Sequence, residues 1–103
     1  MRIYVSGAIS GVENYKDAFD KAEEQLKADG HVVINPTKVE QILINATYEE
    51  YMSIDMFLLS MCDAIYMLPG WQQSRGANRE YGYALAKSYT ILEEVGDEIY
   101  KRQ

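Results

Sequence analysis

Residues 62 to 68 read Cys-Asp-Ala-Ile-Tyr-Met-Leu, a nearly unbroken apolar run with a helical pattern on either side. A strand with one wet face alternates apolar and polar residues, whereas a run without alternation is expected where helices cover a sheet above and below. Arg2-Ile3-Tyr4-Val5-Ser6, His31-Val32-Val33-Ile34-Asn35 and Tyr89-Thr90-Ile91-Leu92 have the β-prone composition of further strands, the second ended by Pro36. Between the first two, Tyr15, Ala18, Phe19, Ala22 and Leu26 share one face of a helix, with Asn14 as its cap, Asp17 at its third position and Gly30 at its close. Thr47 and Glu50 form a capping box that opens a helix to about Met61. A third helical pattern carries Glu80 in its first turn and runs to about Ser88. Thr37 to Ala46 has no clear period and reads as a mobile flap, and Glu93 to Gln103 reads as a short terminal helix or frayed tail. Strands and helices in alternation predict an α/β fold: one doubly wound, flavodoxin-like or Rossmann-like parallel sheet in the order 2-1-3-4, with right-handed crossovers and helices on both faces.

The 103 residues, 48% of them apolar, suit one globular domain with a single core. A net charge of -6 opposes binding to a nucleic-acid polymer, which needs a clustered basic surface, but two or three local donors suffice to hold one small phosphate. No run approaches the ~18 apolar residues of a membrane span, and no secretory leader precedes the first strand, so no membrane association and a cytoplasmic location are expected. Lone Cys62 excludes an internal disulfide, and lone His31 gives no metal-ligand spacing, so neither a metal nor a cofactor is expected.

Two acidic residues stand out. Asp55 has Tyr48, Tyr51, Met52, Leu58, Leu59 and Cys62 as its helical neighbours, so it lies on an apolar face. Such a carboxylate must be paired, protonated or lining a cavity; the plain structural reading is a partner such as Arg75 or Arg79. Glu80 follows a loop rich in Gly, Ser and Arg at the carboxyl edge of the third strand, where open α/β sheets gather ligands. The plain reading there is an acid complementing a helix dipole. Both acids flank the third strand, and two carboxylates around one pocket equip a site for displacement at an anomeric carbon.

The turn Ser6-Gly7-Ala8-Ile9-Ser10-Gly11 allows backbone N–H groups to approach a phosphate or ribose. It is neither a dinucleotide nor a Walker fingerprint. Ser74, Arg75 and Gly76 form a second cluster of donors, with Asn78 just beyond, and Trp71 could stack a base or cover the core. Tyr4 is expected to reach the pocket from the end of strand one.

These pieces together resemble the nucleoside 2-deoxyribosyltransferase superfamily, including the 2'-deoxynucleoside 5'-monophosphate N-glycosidases. The matching stretches are Tyr4 to Gly11, Asp55, Cys62 to Tyr66 and Gly76 to Ala84. The spelling L-P-G-W-x-x-S-x-G-A-x-x-E is closer to short, uncharacterised members of the superfamily. The resemblance implies Glu80 as the nucleophile on C1' of a 2'-deoxyribosyl group, Asp55 as the residue orienting the sugar and assisting the departing base, and Tyr4 as the strand-one tyrosine. It places Ser74 and Gly76 at a 5'-phosphate. Ala8 and Ser10 stand where the glycosidases have a serine and an arginine, which removes a cationic contact that Arg75 could replace. The superfamily's C-terminal segment, which enters a neighbouring subunit's site, has no counterpart after Ile91.

The expected function is therefore N-glycosidic hydrolysis or deoxyribosyl transfer on a 2'-deoxynucleoside or its 5'-monophosphate. The alternatives are a non-catalytic nucleotide or nucleotide-sugar binding module, and an interaction protein whose carboxylates are merely structural. The Tyr48 to Met61 helix is apolar nearly all round, which points to a homo-oligomer, a twofold dimer by default.

Overall fold

In the computed structural model, which describes residues 1–96 and 98–102, five strands form one sheet in the order β2-β1-β3-β4-β5. The elements are β1 (Arg2–Ser6), α1 (Tyr15–Ala28), β2 (Val32–Ile34), α2 (Tyr48–Ser60), β3 (Ala64–Met67), α3 (Arg75–Ala86), β4 (Thr90–Val95) and β5 (Glu98–Lys101). The first four strands are parallel, in the expected 2-1-3-4 order, and β5 pairs antiparallel with β4. The expected terminal helix or tail is thus a β-hairpin. Its fifth strand, Glu98-Ile99-Tyr100-Lys101, buries only part of Ile99, too weak a pattern to announce itself. Asp97 and Gln103, which fall within that segment, lie outside the described residues.

The sheet has two covered faces because β1 and β3 are apolar at successive positions. Ile3, Val5, Ala64 and Tyr66 pack with Phe19, Ala22 and Leu26 of α1 on one face. Tyr4, Ile65 and Met67 pack on the other with Leu59 of α2 and Ala77 and Ala84 of α3. Period-two alternation sends neighbouring side chains to opposite faces, so Tyr4 and Ser6 share the α3 side.

Helix ends follow local chemistry, with one exception. Thr47 and Glu50 form both bonds of the capping box at α2. Gly30, at φ 90°, closes α1 as His31 N–H donates to Leu26 O and Gly30 N–H to Lys27 O, the reciprocal pattern of a left-handed C-terminal cap. Asn14 occupies the N-cap position of α1, but its left-handed backbone (φ 56°) keeps its side chain out of the cap, and its carbonyl accepts from Asp17 N–H instead. The segment after β2 is not a flap throughout: Asn35 caps a 3-10 turn over Pro36–Gln41, whose Thr37 and Val39 are buried. Pro36 supplies a fixed φ at the start of that turn, and the tighter 3-10 spacing explains the missing helical period. α2 buries Met52 and Leu59 and leaves Phe57 66% exposed, so its apolar surface is only partly used within the chain.

The ends of β1 and β3 approach so closely that a Cβ on Gly7 would stand 2.9 Å from Leu68 Cδ1 and 3.0 Å from its Cβ. Leu68 N–H donates to Ser6 O at 2.8 Å, which fixes the pair. Gly7→Ala is expected to destabilise the fold by about 1–3 kcal/mol through overpacking. A urea midpoint equal to that of the unmodified chain would contradict this close contact.

Candidate active site

Glu80 lies in the second turn of α3, not the first, since Ser74 is the N-cap and accepts from Ala77 N–H. A helix-dipole role fades beyond the first turn, which weakens the plain reading of this acid. What holds Glu80 is β1: Tyr4 Oη donates to its Oε2 and Ser6 Oγ to its Oε1, each at 2.6 Å. The small side chains of Ala77 and Ala84, on the same face of α3, let the helix lie close enough to the sheet for these bonds to form. Tyr4, in the middle of β1 and not at its end, is wholly buried, and Glu80 is 5% exposed. Among the described residues, no arginine bonds Glu80.

Glu80 and Asp55 line the same cavity, of about 300 Å³, at the carboxyl edge of the sheet. Its floor includes Gly7, Ile9 and Ser10 of the first turn; Ser74, Gly76 and Ala77 bring in the start of α3. Tyr48, Tyr51 and Met52 join Asp55 along one stripe of α2, and Glu40 comes from the 3-10 turn. The approach of α3 to α2 depends on a glycine: a Cβ on Gly76 would meet Met52 Sδ at 3.2 Å.

Neither arginine pairs with Asp55 among the described residues. Arg79 bonds Glu49 at 2.8 Å, and the Arg75 guanidinium sits 4.4 Å from the centre of the Tyr48 ring. Asp55 Oδ1 is buried with no hydrogen-bond partner. Burial, reinforced by the charges of Glu80 and Glu40, pushes the Asp55 carboxyl up to about 7. Burial also pushes Glu80 up to about 7, against the opposing hydrogen bonds from Ser6 and Tyr4. The phenol of Tyr4 is raised well above its ordinary range by burial and by Glu80, which keeps it a donor. Hydrogen-bond donors favour the ionised form of Glu80 and none bonds Asp55 Oδ1, but both carboxyls are raised to about 7, so near neutrality the two titrate as a coupled pair. Two carboxyls that titrate together in one cavity are the kind of equipment that glycosidic displacement uses.

Of the other residues singled out in the sequence, Ser6 acts from behind Glu80, while Ala8, Gly11, Trp71, Arg75 and Asn78 do not line the cavity. Trp71 is buried in the core beneath the loop and tilted against Tyr81, with ring centres 4.6 Å apart. Asn78 donates to Gln72 O and Ser74 O and so ties the loop to α3. The sequence does not mark Glu40 as a cavity residue, and it shows Tyr48, Tyr51 and Met52 only as the apolar helical neighbours of Asp55. Their spacing of three, four and seven positions from Asp55 was the available signal. Among the described residues, no cluster of three His, Cys, Asp or Glu side chains could hold a metal, and no helix is long and apolar enough to cross a membrane.

Fold and cavity together define an α/β protein of the nucleoside 2-deoxyribosyltransferase type of fold. A solved 2-deoxyribosyltransferase from the psychrotolerant bacterium Bacillus psychrosaccharolyticus matches with a TM-score of 0.72 at 18% identity, covering 97% of this chain and 77% of that one. The resemblance seen in the sequence therefore holds in the fold. The chain belongs to the family described as "Domain of unknown function (DUF4406)", which matches residues 1–93. No curated protein matches it.

Proposed function

We propose that the protein is an enzyme that cleaves the N-glycosidic bond of a 2'-deoxynucleoside or its 5'-monophosphate, by hydrolysis or by transfer of the deoxyribosyl group to a second base. The observation that carries this reading is the pairing of Glu80, buried and held by two hydroxyl donors, with a partnerless Asp55 across one cavity. The similar 2-deoxyribosyltransferase supports the choice of sugar.

In the proposed sequence, ionised Glu80 attacks C1' as the bond from C1' to the base nitrogen breaks. The bonding pair leaves with the base, which takes the proton from Asp55. A glycosyl ester on Glu80 results. Water, or a second base, then attacks C1', its proton passes to Asp55, and Glu80 departs as the carboxylate. Tyr4 and Ser6 fix one lone pair on each Glu80 oxygen, leaving the others for the sugar carbon. Gly7, Ile9, Ser10, Ser74 and Gly76 are proposed to cradle the sugar and any phosphate.

Incubation with a panel of 2'-deoxynucleosides and their monophosphates, with chromatography of the products, tests the proposal. Free base is expected from at least one, and an exchanged nucleoside when a second base is present. Binding without any base release would favour the non-catalytic nucleotide-binding reading.

We also propose a cytoplasmic homo-oligomer. The exposed Phe57 on α2 supports an interface there, and the free Cys62 suits a reducing compartment. Light scattering of the purified chain measures the subunit number.

A further inference from the structure

Among the described residues, the cavity is lined by three carboxylates, those of Glu40, Asp55 and Glu80, and by no lysine or arginine. Glu40 belongs to neither strand nor long helix. It sits on the 3-10 turn after β2, and the phenol of Tyr15, in the first turn of α1, donates to its Oε2 at 2.7 Å. That hydrogen bond pushes the Tyr15 hydroxyl up to about 12, with burial and the Glu40 charge adding to it, so the phenol stays protonated as a donor. The bond ties α1 to the turn that carries Glu40 and occupies Oε2, so that Oε1 is left to accept.

Resting on the proposed glycosidic reading, we propose that Glu40, positioned by Tyr15, is a specificity-determining residue that accepts a hydroxyl of the ligand and disfavours a phosphate there, so that the preferred substrate is the uncharged nucleoside and not its 5'-monophosphate. The opposing attraction is the start of α3, worth roughly half a positive charge. Against it stand Glu40 and the shared negative charge of the two acids in one partly dry space. Arg75, the cation the sequence offers for a phosphate, does not line the cavity and places its guanidinium 4.4 Å from the centre of the Tyr48 ring. Hydroxyls, by contrast, can donate to Glu40 without adding charge. Discrimination of this kind arises from a repulsive element set against the wrong ligand.

Glu40→Gln tests the assignment because the amide oxygen still accepts from Tyr15 and only the charge is lost. Thymidine and its 5'-monophosphate, with the corresponding deoxyadenosine pair, would be compared for base release by the full-length protein. Binding to Glu80→Gln, which does not turn over, would be followed by calorimetry. The unmodified protein is expected to favour each nucleoside over its monophosphate by about tenfold or more, and Glu40→Gln to narrow that ratio by about tenfold. Glu40→Asp, which keeps the charge, should retain most of the preference, an outcome that loss of packing alone would not give.

Efficient cleavage of the monophosphates by the unmodified protein overturns this inference and leaves the glycosidic reading intact. Nucleoside binding with the stated preference but no cleavage does the reverse. An unchanged ratio in a folded Glu40→Gln, or binding of neither ligand, also overturns it.

Discussion

Glu80→Gln is expected to lower kcat for base release by about a thousandfold or more, the scale on which loss of a covalent nucleophile acts. The substitution is nearly isosteric. Its amide oxygen can accept from one of the two hydroxyls that now hold the carboxylate, and its amide nitrogen can donate to the other, so the bonds from Tyr4 and Ser6 need not be forfeited. Retained stability with lost turnover is thus the anticipated pair of observations. The sharper test is Glu80→Ala with added azide. A small anion entering the vacated space would attack C1' from the face the carboxylate used, and the azide product would have the configuration opposite to the substrate's. Rescue with retained configuration would instead assign the nucleophile to Asp55. No loss of rate in a folded Glu80→Gln would remove the proposed chemistry altogether.

The convergence of Tyr4, Ser6 and Glu80 also marks how far the amino-acid sequence can be read. Strand and helix order was legible because β1 and β3 carry apolar residues at successive positions, α1 repeats Phe19, Ala22 and Leu26 at helical spacing, and Thr47 with Glu50 writes a helix start in four letters. Parallel pairing followed from that order. Asp55 was legible as an acid out of place among apolar neighbours, and Glu80 by its position after the loop at the carboxyl edge of the third strand. The bonds that hold Glu80 were not, because Tyr4 and Ser6 lie 76 and 74 positions away along the chain and meet it only once α3 packs on the sheet.

Misreadings had local causes. Of the two roles open to Trp71, stacking a base or covering the core, the structure shows the second, with the ring buried against Tyr81. Asn14 has the chemistry of a cap but a left-handed backbone that withholds its side chain. Glu40 was hidden because a 3-10 turn has no amphipathic period of its own, and its significance depends on Tyr15, 25 positions earlier. Tyr48, Tyr51 and Met52 were visible as a stripe beside Asp55, but a stripe that lines a cavity and one that packs a core have the same spacing.

Asp55→Asn is expected to make the protein more stable in alkali while impairing its chemistry. The folded Asp55 carboxyl is raised to about 7 from an ordinary value near 4, so between those limits the folded chain binds a proton that the unfolded chain releases. Stability must then fall as pH rises through that interval, and the cost is fully present above pH 7. It is absent below about pH 4, where both states are protonated. Asparagine carries no charge to bury and escapes the cost. After discounting for the part of Asp55 left open to solvent, the variant should gain about 2 kcal/mol at pH 8 and almost nothing at pH 4. For a chain of this size that corresponds to a Tm higher by roughly 10 °C at pH 8. Catalysis should move the other way. Base release by the unmodified protein should trace a bell centred near neutral pH, falling in acid as Glu80 gains a proton and in alkali as Asp55 loses its own. Asp55→Asn should be slower by about a hundredfold or more and should lose the alkaline limb, because no proton remains there to be removed. Calorimetric scans of both proteins at pH 4 and pH 8, with rate profiles across the same range, separate these effects. Unfolding curves that differ by the same amount at both pH values would mean that Asp55 is an ordinary ionised carboxylate, and the acid assigned to the departing base would have to be sought elsewhere in the cavity.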